Sequence, residues 1–224
     1  GIRALEVRRE VVGNDSASLA LNYLNLASIC LELNDTDRAK AYAEVGLEIA
    51  RIFQDSVPLK TRGDLYQVIG LSLYRSQEYN KSLVYCREAL RIYDRDPASA
   101  VESSILLYNT IGQVYRRLNQ PKEAEDHFRR GLAFRDGRGT QDKYLLYINY
   151  ANLLAADGRV SEGESIMNAG LENVRRVYGR ESRDYFTMLV SVADFVNSNL
   201  GNSGRSLELY GQCFEYVRRN PWDI

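Results

Sequence analysis

The sequence predicts an all-α superhelical array of antiparallel two-helix repeats. Three observations predict it: small residues recur at a regular step, bulky apolar residues flank them at helical spacing, and no segment shows the period-two alternation or Asn-Gly and Asp-Gly turns of strands. Neither helix of such a pair can bury its apolar stripe alone. Each pair is therefore expected to stack on the next.

The most regular marker is a small residue followed by a bulky apolar residue. It recurs at steps of 42, 43, 42, 39 and 43 residues, as Ala4-Leu5, Gly46-Leu47, Ala89-Leu90, Gly131-Leu132, Gly170-Leu171 and Cys213-Phe214. Two other small-residue markers keep the same step, namely Ala27, Gly70, Gly112, Ala151 and Ala193, and then Ala39, Ser82, Ala124, Gly163 and Ser206. Small residues let antiparallel helices approach closely, so we expect these positions to lie at helix-helix contacts.

The markers place one second helix at about 2–12 and then five helix pairs. The pairs are predicted at about 16–54, 58–94, 98–136, 141–178 and 182–219. Asp96-Pro97 and Pro121 fit helix starts, whereas Gly13 and Gly179 fit helix ends. No linker divides the pairs, so residues 1–224 are predicted to be a single array. Because the leading helix lacks its partner, we expect the array to start inside a longer one.

Composition excludes several classes of partner. The 29 basic and 30 acidic residues give a formal net charge of -1, so no overall field attracts nucleic acid or an anionic membrane. No apolar run approaches the roughly 18–20 residues that span a bilayer. Three widely spaced cysteines fit a reducing compartment. We expect a cytoplasmic protein that binds neither nucleic acid nor membrane, and the oligomeric state stays open.

Catalysis has little support in the sequence. His127 is the only histidine, which excludes a histidine metal cluster; it lies next to Phe128 on a predicted second helix, where packing or solvation is the expected role. Cys30, Cys86 and Cys213 fall on core-facing repeat positions and are interpreted as small hydrophobic residues. No phosphate loop or dinucleotide fingerprint occurs. The expectation is a non-enzyme with no catalytic residue, no metal site and no cofactor.

The repeat resembles the tetratricopeptide repeat (TPR), and the resemblance covers nearly the whole chain. The residues that carry it best are Tyr108, Ile111, Gly112, Tyr115, Ala124, Phe128 and Gly131. The step of about 42 residues is similar to the long variant of kinesin light chains and bacterial arrays. The resemblance implies a right-handed superhelical solenoid, an α-α superhelix. HEAT-type helix pairs have a similar period and remain the alternative.

The resemblance also implies a function. In such arrays the first helices line a concave groove that binds a peptide or a partner protein, and the array belongs to a larger protein. The expected groove residues are Asn25, Ser28, Gln67, Tyr74, Asn109, Gln113, Arg116, Asn149, Asn152, Asp194 and Asn197. The Asn and Gln side chains of this set can both donate and accept hydrogen bonds. Solvated helix faces or hydrogen bonds between helices would also explain these polar residues. The alternative functions are a bacterial peptide-sensing regulator and a docking array for an attached caspase-like peptidase domain.

Overall fold

A computed structural model describes residues 16–53, 56–134 and 143–220. These residues form ten α-helices and no strand, as the sequence predicts. The helices are α1 Ser16–Glu32, α2 Thr36–Ile52, α3 Leu59–Arg75, α4 Tyr79–Tyr93, α5 Val101–Arg117, α6 Pro121–Leu132, α7 Lys143–Ala156, α8 Val160–Tyr178, α9 Arg183–Leu200 and α10 Ser203–Arg219. The predicted helix at 2–12 and its end at Gly13 lie outside the described residues.

The helices belong to two compact units. The first unit ends at Leu118 and contains α1 to α5, whereas the second unit begins at Asn119 and contains α6 to α10. In the first unit each helix packs on the next, and α3 also contacts α1 and α5. In the second unit each helix again packs on the next, and α7 also contacts α9. Within each unit, neighbouring first helices of the pairs therefore lie side by side.

The small residues occupy the contacts that their spacing predicts. The small residue of every marker from Ala27 to Cys213 is buried. The contact between α3 and α4 shows why. A methyl group added to Gly70 would lie 2.5 Å from the Cys86 sulfur and 3.3 Å from its backbone nitrogen. The Ser82 hydroxyl also donates to the Gly70 carbonyl at 2.7 Å, so no larger residue fits at Gly70 without moving α4.

The turns inside the pairs share one backbone feature. Each contains a residue with positive φ, namely Asn34 at 60°, Gln77 at 63°, Asn119 at 58°, Gly158 at 79° and Gly201 at 61°. A single residue in the left-handed region ends a helix and reverses the chain within a few residues. The recurrence of this conformation at the repeat step makes the five turns equivalent.

Two predicted helix starts can be compared with the structure in detail. Pro121 is the first residue of α6, as predicted. The prediction for Asp96-Pro97 was wrong, because Pro97–Ser99 forms a short 3-10 turn and α5 begins only at Val101. The Asp96 side chain makes no capping hydrogen bond there. Asp96-Pro97 does begin a helical segment, but that segment is a single 3-10 turn that precedes the α-helix.

Candidate functional site

The second unit contains a groove of about 280 Å³ between α7 and α9. Its lining includes two of the predicted site residues, Asn152 on α7 and Asp194 on α9, and both side chains are exposed. Beneath them lie Met167, which is 1% exposed, and Phe195, which is 3% exposed. The groove thus combines a polar rim with an apolar floor, the combination that is usual in ligand sites.

Hydrogen bonds inside the second unit fix part of this rim. The Asp194 carboxylate accepts a hydrogen bond from the Tyr210 hydroxyl of α10, and this contact raises the pKa of Tyr210. The Asn199 amide donates to the Phe195 carbonyl at 3.1 Å. Asp194 keeps acceptor capacity because a carboxylate has two oxygens. A bound group that donates hydrogen bonds or carries positive charge would complement it.

The other two predicted residues of the second unit lie on the same helices but do not line the groove. Asn149 on α7 is half-buried. Asn197 on α9 is exposed, and its side-chain oxygen lies 3.4 Å from the Ser203 hydroxyl of α10. The structure therefore brings Asn152 and Asp194 together and leaves Asn149 and Asn197 at its edge.

In the first unit, the predicted residues differ widely in exposure. Asn25 on α1 is exposed, and Ser28 beside it is half-buried. Tyr74 on α3 is half-buried, with its ring 6.1 Å from that of Tyr79. Asn109 on α5 keeps only 7% of its surface. Asn25 is therefore open to a partner, Tyr74 is partly covered, and Asn109 presents only its edge.

Gln67 belongs to a buried polar cluster that the sequence did not reveal. Its side-chain oxygen lies 2.7 Å from the Tyr93 hydroxyl, which also donates to Asp64 at 2.6 Å. The Ser103 hydroxyl donates to the same Asp64 oxygen at 3.1 Å. Burial, and then the Asp64 charge, raise the pKa of Tyr93. Gln67 is 7% exposed and joins α3 to α4, a role that polar residue type alone does not distinguish from ligand binding.

Gln113 and Arg116 show the opposite situation. They are three residues apart on α5, so their side chains are neighbours on one face. The Gln113 side-chain oxygen and the Arg116 Nε are both buried and have no hydrogen-bond partner among the described residues. Buried polar atoms are normally paired, so this face of α5 differs from the satisfied cluster around Gln67.

A second unpredicted cluster joins α6, α7 and α8. Arg159 pairs with Glu125 at 2.7 Å and with Glu162 at 2.8 Å. The Tyr150 hydroxyl donates to Glu125 at 2.8 Å and accepts from Arg129 at 3.0 Å. Hydrogen bonds from Arg159 hold the pKa of Glu125 below its usual value. These residues belong to three different helices and come together only in the folded chain, so their spacing in the sequence could not reveal the cluster.

The described residues contain nothing that points to metal chemistry or a membrane span. No group of three or more His, Cys, Asp or Glu side chains among them could hold a metal ion. None of the described helices is both long enough and apolar enough to cross a membrane. Cys30, Cys86 and Cys213 are buried, as predicted, and burial raises the pKa of the Cys86 thiol to about 12, which keeps it protonated and unreactive.

Comparison with known families identifies the repeat. Models of the tetratricopeptide repeat match residues 20–52 and residues 63–136. The chain is a tetratricopeptide repeat protein. The matched segments contain most of α1 with all of α2, and then most of α3 with all of α4 to α6, so the matched segments and the helix pairs coincide. No curated protein matches the sequence significantly.

Solved structures share the fold of this chain over nearly its whole length. BtubC from P. vanneervenii has a TM-score of 0.73 at 13% identity, and the match covers 98% of this chain and 89% of that protein. Kinesin light chain-type TPR-like repeats from Podosopora anserina have a TM-score of 0.69 at 13% identity, with 92% and 97% covered. PlcR of Bacillus thuringiensis, in complex with the peptide PapR7 and DNA, has a TM-score of 0.59 at 11% identity, with 90% and 70% covered. At these identities the likeness concerns the fold.

Proposed function

We propose that this TPR protein is a cytoplasmic, non-catalytic scaffold that binds a peptide or a protein segment on the surface of its first helices. The observation that carries the proposal is the groove of the second unit, where Asn152 and Asp194 lie above a buried apolar floor. In the first unit, Gln113 and Arg116 place unpaired polar atoms on the first helix α5.

The chemistry of the groove suits an extended or helical peptide. The Asn152 amide can donate to a backbone carbonyl and accept from a backbone N–H. The Asp194 carboxylate favours a basic or N–H-rich segment, and Phe195 offers an apolar contact at the base. A cavity of about 280 Å³ holds one or two side chains, so the groove anchors a segment rather than enclosing a whole ligand.

The second candidate function is a peptide-sensing regulator, in which a short peptide reshapes the array. The likeness to PlcR, whose structure includes the peptide PapR7, favours this candidate. It differs from the scaffold in one respect: binding must change the arrangement of the helices, not only cover their surface. Small-angle scattering with and without a bound peptide separates the two.

The binding test uses a displayed library of random 12-residue peptides selected on the purified protein. The tightest peptide is then titrated by fluorescence anisotropy. The double variant Asn152→Ala with Asp194→Ala should weaken its binding about tenfold or more, since each lost hydrogen bond costs about 1 kcal/mol. The matched control is Asn168→Ala with Glu208→Ala, which removes the same two groups from exposed positions on second helices.

The control should bind like the wild type, and both double variants should melt within a few degrees of it. If the selected peptide binds the Asn152/Asp194 variant with unchanged affinity, the interface lies elsewhere and the proposal fails for this groove.

A further inference from the structure

A second cavity lies in the first unit, away from the exposed side of the first helices. This cleft, of about 420 Å³, is lined by α2, α3 and α4. Its apolar lining includes Leu47, Ile69 and Ile92, and the rings of Tyr66 and Tyr85 lie 6.1 Å apart beside them. The volume is in the range of small-ligand pockets.

The charges of the cleft are unevenly paired. Each of its three carboxylates already has a basic neighbour on its own helix: Glu44 has Lys40 at 4.0 Å, Glu48 has Arg51 at 2.7 Å and Glu88 has Arg91 at 2.5 Å. Two further arginines, Arg62 and Arg95, line the same cleft and form no ion pair with any described residue. Each carboxylate therefore already has a cation beside it, and Arg62 and Arg95 are the two cations of the lining without an ion pair among the described residues.

Arg62 differs from Arg95 in having a buried donor atom without a partner. Its Nε is buried and has no hydrogen-bond partner among the described residues. A buried donor without an acceptor destabilises the folded chain. The hydroxyl groups of Tyr66 and Tyr85 are also without a hydrogen bond to any described side chain. The cleft thus contains several hydrogen-bond donors that have no partner among the described residues.

The repeat itself does not require an arginine at this position. Arg62 lies four residues before the repeated tyrosine or leucine, here Tyr66. In the other repeats the residue at that position is Leu19, Ser104, Lys143 or Tyr185. Lys143 is the closest chemical equivalent, and its ammonium group donates to the Phe134 carbonyl at 2.5 Å. The later repeat satisfies its buried cation from within, whereas Arg62 leaves its own donor open.

We propose that the cleft between α2 and α4 binds a carboxylate carried on an apolar body, with Arg62 as its principal ligand and Arg95 as a second cation. The carboxylate pairs with the Arg62 guanidinium, in the charge-assisted geometry that arginine forms with carboxylates. The apolar body lies against Ile69, Ile92 and the two tyrosine rings. This site is independent of the groove between α7 and α9.

The test uses 4-phenylbutyrate as the probe and its uncharged amide, 4-phenylbutyramide, as the matched ligand control. Binding is followed by nitrogen-proton correlation spectra of the whole chain. The acid should shift the amide signals around Arg62, Tyr66 and Ile92 saturably, and the amide should bind about tenfold more weakly or worse. Equal affinity for acid and amide in the wild type, or shifts centred outside the cleft, would overturn the proposal.

Variants separate binding from packing. Arg62→Met keeps an unbranched side chain and removes the unpaired donor, so it should weaken binding of the acid about tenfold or more while the melting temperature of the free protein stays equal or rises. Arg117→Gln removes one positive charge from an exposed position on α5 and should leave binding unchanged. If Arg62→Met binds 4-phenylbutyrate like the wild type, Arg62 is not its ligand and the proposal fails.

Discussion

Replacing Gly70 by alanine should destabilise the first unit, even though alanine is the better helix former. Gly70 lies in the middle of α3, where it contacts α4. An added methyl group would lie 2.5 Å from the Cys86 sulfur and 3.3 Å from the Cys86 nitrogen. The sulfur is one bond from its Cβ and fully buried, so it cannot swing into solvent, and the nitrogen belongs to the backbone. Relief therefore requires α3 and α4 to move apart.

Two effects of opposite sign set the size of the change. Removing a helical glycine gains about 1 kcal/mol, whereas forcing one extra carbon into a packed contact costs about 1–3 kcal/mol. The second effect should win, with a net loss of about 1 kcal/mol in the free energy of unfolding. Gly211→Ala isolates the first effect, because Gly211 lies in α10 with nothing within 4 Å of the added methyl group. That control should gain about 0.5–1 kcal/mol.

The assay is urea unfolding followed by circular dichroism, applied to a double-mutant cycle. Cys86→Ala removes the sulfur that the new methyl group would meet, so the two substitutions together should be more stable than the sum of their separate effects predicts. A coupling of about 1 kcal/mol is expected for residues in direct contact. If Gly70→Ala raises the urea midpoint as Gly211→Ala does, or if the two substitutions are additive, the close contact between α3 and α4 is not what constrains this position.

The remaining predictions concern the two polar clusters. Tyr93→Phe should lower the free energy of unfolding by about 1–2 kcal/mol in urea titrations, because Asp64 loses the hydroxyl that donates to it and the Gln67 side chain loses its neighbour at 2.7 Å; an unchanged midpoint would show that water replaces the hydroxyl at no cost. For Glu125, the folded-state pKa is depressed, so its stabilising contribution is present above its unfolded pKa of about 4.3 and is lost as the pH falls through the folded value. Arg159→Gln should therefore destabilise the protein at pH 7, and its midpoint should approach that of the wild type at low pH; a difference independent of pH would refute this.

The repeat and its helix pairs could be predicted from the sequence because they follow from local rules. The step between Gly46, Ala89 and Gly131 is set by helix length and turn length, both of which residue type controls. The same reasoning correctly placed the buried cysteines, since each falls on a marker position or a core face. It failed at Asp96-Pro97, where a turn of 3-10 helix uses the same start signal as an α-helix.

The candidate site was predicted less completely. Asn152 and Gln67 are both polar residues on first helices, yet one is exposed in a groove and the other is buried beside Tyr93. The helical register gives the direction of a side chain but not what the neighbouring helix presents to it. For the same reason the sequence did not reveal the unpaired donor of Arg62.

The sequence by itself determined that this chain is an array of two-helix repeats, because the regular spacing of small residues is a property of the linear chain. Only the tertiary structure decided which polar groups of the described residues are satisfied within the fold and which have no partner there. That distinction depends on partners such as Asp64 for Tyr93 and Phe134 for Lys143, and these are brought within hydrogen-bond distance only when separate helices pack together.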